Sequence, residues 1–150
     1  MVDYISKKLD EIIIFENETI RNCIKKLNVS GKKTLIAINK KNELIGVLSD
    51  GDIRKAIIKN SNLSKSIKKI FQRKPIFLVN NNYNNEDVKN IFSSYKVNLI
   101  PIVNNNKILI DCIFPEYFFG NNNKLQTRSN LPVVIMGGGK GQRMKPFTDI

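Results

Sequence analysis

The chain has 150 residues, 41% of them hydrophobic, with 25 Lys and Arg against 13 Asp and Glu for a formal net charge of +12. That length suits one compact domain or two small repeats sharing a core. No apolar run approaches the roughly 20 residues that span a bilayer, Met1 to Ser6 lacks the basic and apolar regions of a signal peptide, and the absence of histidine excludes His-based triads and His metal sites.

The two cysteines, Cys23 in a helical pattern and Cys112 in a strand pattern, read as buried free thiols. A reducing cytoplasm is the simplest setting for them. The positive charge invites a nucleic-acid reading. However, the lysines are scattered in pairs such as Lys25-Lys26, Lys32-Lys33, Lys40-Lys41 and Lys68-Lys69, with few aromatics between them. They read as solvated surface favouring a small anionic ligand, with no nucleic-acid or membrane partner.

In chain order, Lys7 to Asp10 begins a short lead-in helix or turn, and Ile12 to Phe15 is a buried strand or extended segment. Asn17 can cap the next helix, with Glu18 in its first turn. Ile20, Cys23, Ile24 and Leu27 form its apolar stripe, and Gly31 ends it. Thr34 to Ile38 is a strand, Asn39 to Asn42 a turn, and Leu44 to Leu48 a second apolar strand. It runs through Ser49-Asp50-Gly51-Asp52 into a helix from Asp52 to Lys59, which Asp50 or Asp52 can cap.

The pattern then starts again. Ser64 can cap a helix carrying Ile67, Ile70 and Phe71, and Pro75 to Asn80 echoes Ile12 to Asn17. The loop Asn80 to Asn85 leads to a helix with Glu86, Val88, Ile91, Phe92 and Tyr95 on its stripe. Asn98 to Val103 repeats Thr34 to Ile38, and Ile108 to Phe114 repeats the second strand. The period is about 65 residues, and each copy reads strand, helix, strand, strand, helix. A unit of roughly 60 residues buries little core alone, so the two copies should pack face to face.

Ser49 and Asp52 sit where a strand hands over to a helix, a junction offering free N–H groups, a hydroxyl and a carboxylate. A carboxylate accepts hydrogen bonds from two ribose hydroxyls. Ser49, Arg54 and Lys55 can then take a phosphate end. The same acids also serve simply to cap the helix, with Gly51 in the turn. From spacing alone the capping reading leads, and Arg54 and Lys55 read first as surface charges.

The run Gly46-Val47-Leu48-Ser49-Asp50-Gly51-Asp52-Ile53-Arg54 resembles the signature end of a CBS domain, the cystathionine-β-synthase-type regulatory module. That resemblance covers about residues 3 to 118. It implies two βαββα repeats packed as a pseudo-two-fold pair, an α+β or α/β fold, with clefts between the repeats. It implies an adenine nucleotide (AMP, ADP or ATP) held by Ser49 and Asp52, with Arg54 beside them, and self-association into a homodimer. The second copy departs from the signature: Asp111 stands for Gly46, Phe114 for Ser49 and Tyr117 for Asp52, while Pro115 disturbs the helix start. One nucleotide site, centred on Asp52, is therefore expected. Pro101 reads as structural.

Residues 120 to 130 are a polar linker. Leu131 to Met136 is a strand pattern running into Gly137-Gly138-Gly139-Lys140-Gly141-Gln142-Arg143-Met144-Lys145-Pro146-Phe147-Thr148. Glycines there admit phosphate oxygens close to backbone N–H groups, and Lys140, Arg143 and Lys145 can neutralise them. This stretch resembles the opening loop of sugar-phosphate nucleotidyltransferases. In that family Gly137, Gly138, Gly139, Lys140, Gly141 and Arg143 would wrap NTP phosphates, with Arg143 catalytic. Gly137 and Gln142 depart from the commoner Ala and Thr.

The expected layout is thus repeat 1 over residues 1–60, a degenerate repeat 2 over 61–119, a linker over 120–130 and the start of a Rossmann-like domain over 131–150. The expectation is the N-terminal regulatory segment of a longer enzyme of surface-glycan sugar activation. The segment itself is non-catalytic and metal-free, and Mg2+ is expected only in the whole enzyme. Residues 131 to 150 should be poorly ordered or mispacked without a sheet to join. The alternative is a ligand-free module that only assembles the enzyme.

Overall fold

The computed structural model describes residues 9–59 and 62–120. The first repeat is built from β1 (Ile13–Phe15), α1 (Ile20–Ser30), β2 (Thr34–Ile38), β3 (Leu44–Ser49) and α2 (Asp50–Ile58). The second has β4 (Leu78–Val79), α3 (Asn85–Tyr95), β5 (Ile100–Val103), β6 (Leu109–Ile113) and α4 (Pro115–Gly120). Each repeat holds one three-stranded sheet, in the orders β1-β2-β3 and β4-β5-β6. The outer strand β1 or β4 pairs parallel to the middle strand, and β3 or β6 pairs antiparallel to it. The twofold strand–helix–strand–strand–helix order is as the sequence suggests.

The middle strand of the first sheet is buried at all five positions. The near-continuous apolar run Leu35 to Ile38 that follows Thr34 is what a strand covered on both faces requires. Its core joins Ile14, Ile20, Cys23, Leu35, Leu48 and Ile53 to Ile67, Phe71, Leu99 and Phe114 from beyond the first repeat. The repeats therefore share one core, as expected of units this small. The second repeat has only a small cluster of its own, with Leu78, Val88, Phe92 and Ile100 buried.

Main-chain bonds hold the two halves together. The Leu44 N–H donates to the Lys107 carbonyl at 2.8 Å, and the Leu109 N–H donates to the Asn42 carbonyl at 2.9 Å. The two hairpin corners are alike. Asn39 Oδ1 accepts from the N–H groups of Lys41 and Glu43, and Asn104 Oδ1 accepts from those of Asn106 and Ile108. Asn42 and Lys107 both adopt φ of 61°. On the outer side of β3, Val47 and Gln72 exchange N–H···O bonds of 3.0 and 2.8 Å.

Several expectations are corrected. Thr19, not Asn17, caps α1, its side chain accepting from Asn22 N–H; Gly31 ends the helix at φ 64° as expected. Ser49 caps α2, which starts at Asp50, so Gly51 lies inside the helix and not in a turn. Around Ile67 there is only a 3-10 turn, Ile67–Lys69, capped by Ser66. The strand expected from Pro75 shrinks to Leu78–Val79. Tyr95, placed on the buried stripe, is 63% exposed. Pro115 does not disturb its helix: it occupies the first position, where proline's missing N–H has no helical partner to lose. The linker and the glycine-rich stretch, including Gly137, Gly138, Gly139, Lys140, Gly141 and Arg143, lie outside the described residues.

Candidate functional site

The register of the first sheet sets Thr34 opposite Ser49, where β3 ends. The Asp50 N–H donates to the Lys33 carbonyl at 3.0 Å, which ties the start of α2 to the start of β2. Ser49 and Asp52 then form a capping box. Ser49 Oγ accepts from the Asp52 N–H at 3.1 Å and donates to Asp52 Oδ2 at 2.6 Å, while the Ser49 N–H donates to the same Oδ2 at 3.0 Å. Two otherwise orphaned backbone donors are satisfied this way.

The arrangement leaves specific groups available. Asp52 is half-buried, and its Oδ1 receives no hydrogen bond from the described residues. The Gly51 N–H at the head of the helix has no partner among them either. The Ser49 proton, by contrast, is committed to Asp52. Arg54 is exposed and paired to Asp50 one helical turn earlier. The structure thus brings Ser49 and Asp52 together. Arg54 is directed to Asp50, and Lys55 is exposed in the last turn.

The corresponding corner of the second repeat is built differently. Phe114 is buried, and Phe114 and Tyr117 meet edge to face at 5.7 Å. The Lys32 ammonium lies 4.1 Å from the Phe114 ring centre and 4.8 Å from that of Tyr117, and it pairs with Glu116. A cation over aromatic faces with a carboxylate beside it is mutually satisfied. A cleft of about 280 Å³ at this corner is lined by Lys33, Thr34, Asn98, Leu99, Pro115 and Glu116 among others. Asn98 Nδ2 donates to Thr34 Oγ1 across the repeats at 3.3 Å.

The sequence reading missed Lys32, Thr34 and Asn98 at these corners. The available signal was the repeat itself: Thr34 falls opposite Ser49 once the strands are paired, and Asn98 lies about 65 residues beyond Lys33.

Neither cysteine is in a disulfide; Cys23 is buried as expected, whereas Cys112, also expected to be buried, is only half-buried. Burial, with a smaller contribution from the Glu18 carboxylate, pushes the Cys23 thiol up to about 12. Among the described residues no group of three or more acids and cysteines could hold a metal ion. Nor is any helix there long and apolar enough to cross a membrane.

Comparison with known proteins agrees with this geometry. Residues 3–59 match the model of the CBS domain. The CBS domains of a transcriptional regulator from Streptococcus pneumoniae superpose with a TM-score of 0.64 at 16% identity, over 74% of this chain and 89% of that one. The CBS domain pair of protein MJ0100, solved with 5'-methylthioadenosine and S-adenosyl-L-methionine, gives 0.64 at 23% identity over 74% and 89%. The CBS domain protein PAE2072 from Pyrobaculum aerophilum, complexed with AMP, gives 0.61 at 17% identity over 69% and 79%. The first repeat thus resembles a CBS domain over the residues matched, and the described residues share the fold of solved CBS domain pairs. A Helicobacter pylori protein of uncharacterised role is 48% identical over 40 residues; the match spans 27% of this chain and 12% of that protein's length.

Proposed function

We propose that this CBS pair is a regulatory module that binds one adenine nucleotide at the β3–α2 junction of the first repeat. The observation that carries the reading is the half-buried Asp52, whose Oδ2 is fixed by Ser49 while its Oδ1 remains able to accept from ribose hydroxyls. The Gly51 N–H offers a phosphate donor, and Arg54 reaches the phosphate by exchanging Asp50 for it. The AMP and adenosine ligands of related structures support an adenine ligand. Tyr117 in place of an acid supports a single site.

We further propose that the module governs a sugar-1-phosphate nucleotidyltransferase, on the strength of the Gly137 to Thr148 motif. Arg143 and the loop Gly137, Gly138, Gly139, Lys140 and Gly141 would then serve the whole enzyme, with Mg2+, and in the cytoplasm. Nucleotide occupancy would bias catalysis through differential affinity for two states.

Calorimetric titration with AMP, ADP and ATP tests the nucleotide site. Asp52→Asn retains an oxygen for the Ser49 cap but replaces the other acceptor with a donor. The wild-type chain is expected to bind and this variant to bind at least about tenfold more weakly. Equal affinity in both, or no binding by either, overturns the site. A second reading, a ligand-free dimerisation module, is favoured by the exposure of Ile57 and Ile58 on α2 and Phe119 on α4. Sedimentation with and without nucleotide separates the two: a dimer that forms while no nucleotide binds supports the second.

A further inference from the structure

Arg73, Lys74 and Lys107 ring a cleft of about 220 Å³ whose floor includes Leu44, Phe77 and Val103. Among the described residues no carboxylate lines it. None of the ion pairs among the described residues uses any of the three cations. The main chain forces them together. The paired bonds between Val47 and Gln72 start the next residues, Arg73 and Lys74, back along β3 toward Leu44. Lys107 sits at the hairpin corner with φ 61°, and its carbonyl is held by the Leu44 N–H. Arg73 is further fixed by donating to the Lys68 carbonyl at 2.9 Å and lying 5.0 Å from the Phe71 ring centre. A guanidinium has five donors, so others remain free. Lys74 and Lys107 have no side-chain partner among the described residues.

Like charges gathered on a partly apolar floor repel one another, and the same surroundings strengthen attraction to an anion. We infer that this cleft is a site for a small polyanion, a di- or triphosphate group. Its volume lies below the roughly 300–1,000 Å³ of pockets that hold drug-sized ligands, so the occupant is small or only one end of a ligand enters. The cleft lies at the opposite end of β3 from Ser49. Five residues of strand put it about 16 Å away, so it is separate from Asp52 and does not depend on the nucleotide reading. The phosphates have two sources, free pyrophosphate or the tail of a nucleoside triphosphate.

The test is calorimetric titration of the 150-residue chain with inorganic pyrophosphate at low ionic strength, where screening is weak. Saturable one-to-one binding is expected. Lys74→Ala with Lys107→Ala should weaken it about tenfold or more. Asp52→Asn, and a control pair of exposed helix lysines (Lys25→Ala with Lys89→Ala), should leave it unchanged. Circular dichroism checks the fold of each variant, and a Lys74→Gln, Lys107→Gln chain stands in if the alanine pair unfolds. Competition by ATP in the Asp52→Asn chain would assign the site to a nucleotide tail, and its failure would assign it to free pyrophosphate. Absence of pyrophosphate binding overturns the proposal. So does unchanged affinity in the cleft variant, or equal weakening by both lysine pairs, which marks diffuse attraction to net charge.

Discussion

A Cβ placed on Gly46 would lie 2.4 Å from the carbonyl oxygen of Gln72 and 2.5 Å from the Phe71 ring. The glycine is therefore where the strand of the first repeat admits the chain that leads into the second. Gly46→Ala is expected to cost about 1–3 kcal/mol, as overpacking against backbone does. Gly51→Ala is the contrasting case. Its Cβ would meet only Ser49 Oγ, at 3.6 Å, inside a helix where alanine is favoured by about 0.5–1 kcal/mol. Urea unfolding of the two variants should shift the midpoint in opposite directions; a shared direction would refute the packing argument.

Ser49→Ala removes both the acceptor for the Asp52 N–H and the donor to Asp52 Oδ2. A loss of about 0.5–2 kcal/mol is expected, as for other N-caps. Asp52→Asn keeps an acceptor for Ser49 and should cost clearly less. Thermal melts of the unliganded variants check this order.

The bond from Asn98 to Thr34 joins the second repeat to a buried hydroxyl of the first. Thr34→Val and Asn98→Ala are each expected to destabilise by about 1 kcal/mol. Their effects should fall short of additive by about 0.5 kcal/mol or more, as for any pair sharing one bond. A double-mutant cycle by chemical denaturation measures the coupling directly, and strict additivity would remove the bond from the account.

Cys23 supplies a pH dependence. Its folded pKa of about 12 stands above the ordinary thiol value of 9.0 because burial disfavours the thiolate. The native state thus keeps a proton that the unfolded chain releases. The contribution is fully present below about pH 9 and is lost progressively as the pH rises toward 12. Cys23→Ala should flatten the alkaline fall in stability, even though it leaves a small cavity. Alkylation of native Cys23 at pH 8 should proceed only as fast as the protein opens.

The duplicated architecture was legible because each copy carries the same apolar periods, Ile20-Cys23-Leu27 answering Val88-Phe92, and Thr34 to Ile38 answering Ile100 to Val103. Ser49 and Asp52 were legible as a pair because a strand pattern stops and a helix pattern starts between them. What the residues did not reveal was the choice among competing caps. Asn17, Asp50 and Ser64 are all competent, and the winners Thr19, Ser49 and Ser66 were selected by where the segment 62–67 crosses the start of α1 and by where β3 ends. Nor was Lys32 over Phe114 foreseeable, since the two meet only when the repeats close on each other.

The joint between Leu44 and Leu109 consists of peptide groups, which every residue but proline can provide. Changes to side chains that lie outside the shared core therefore leave these two bonds in place. The second corner can carry Tyr117 where the first carries Asp52, while the same peptide bonds close the pair.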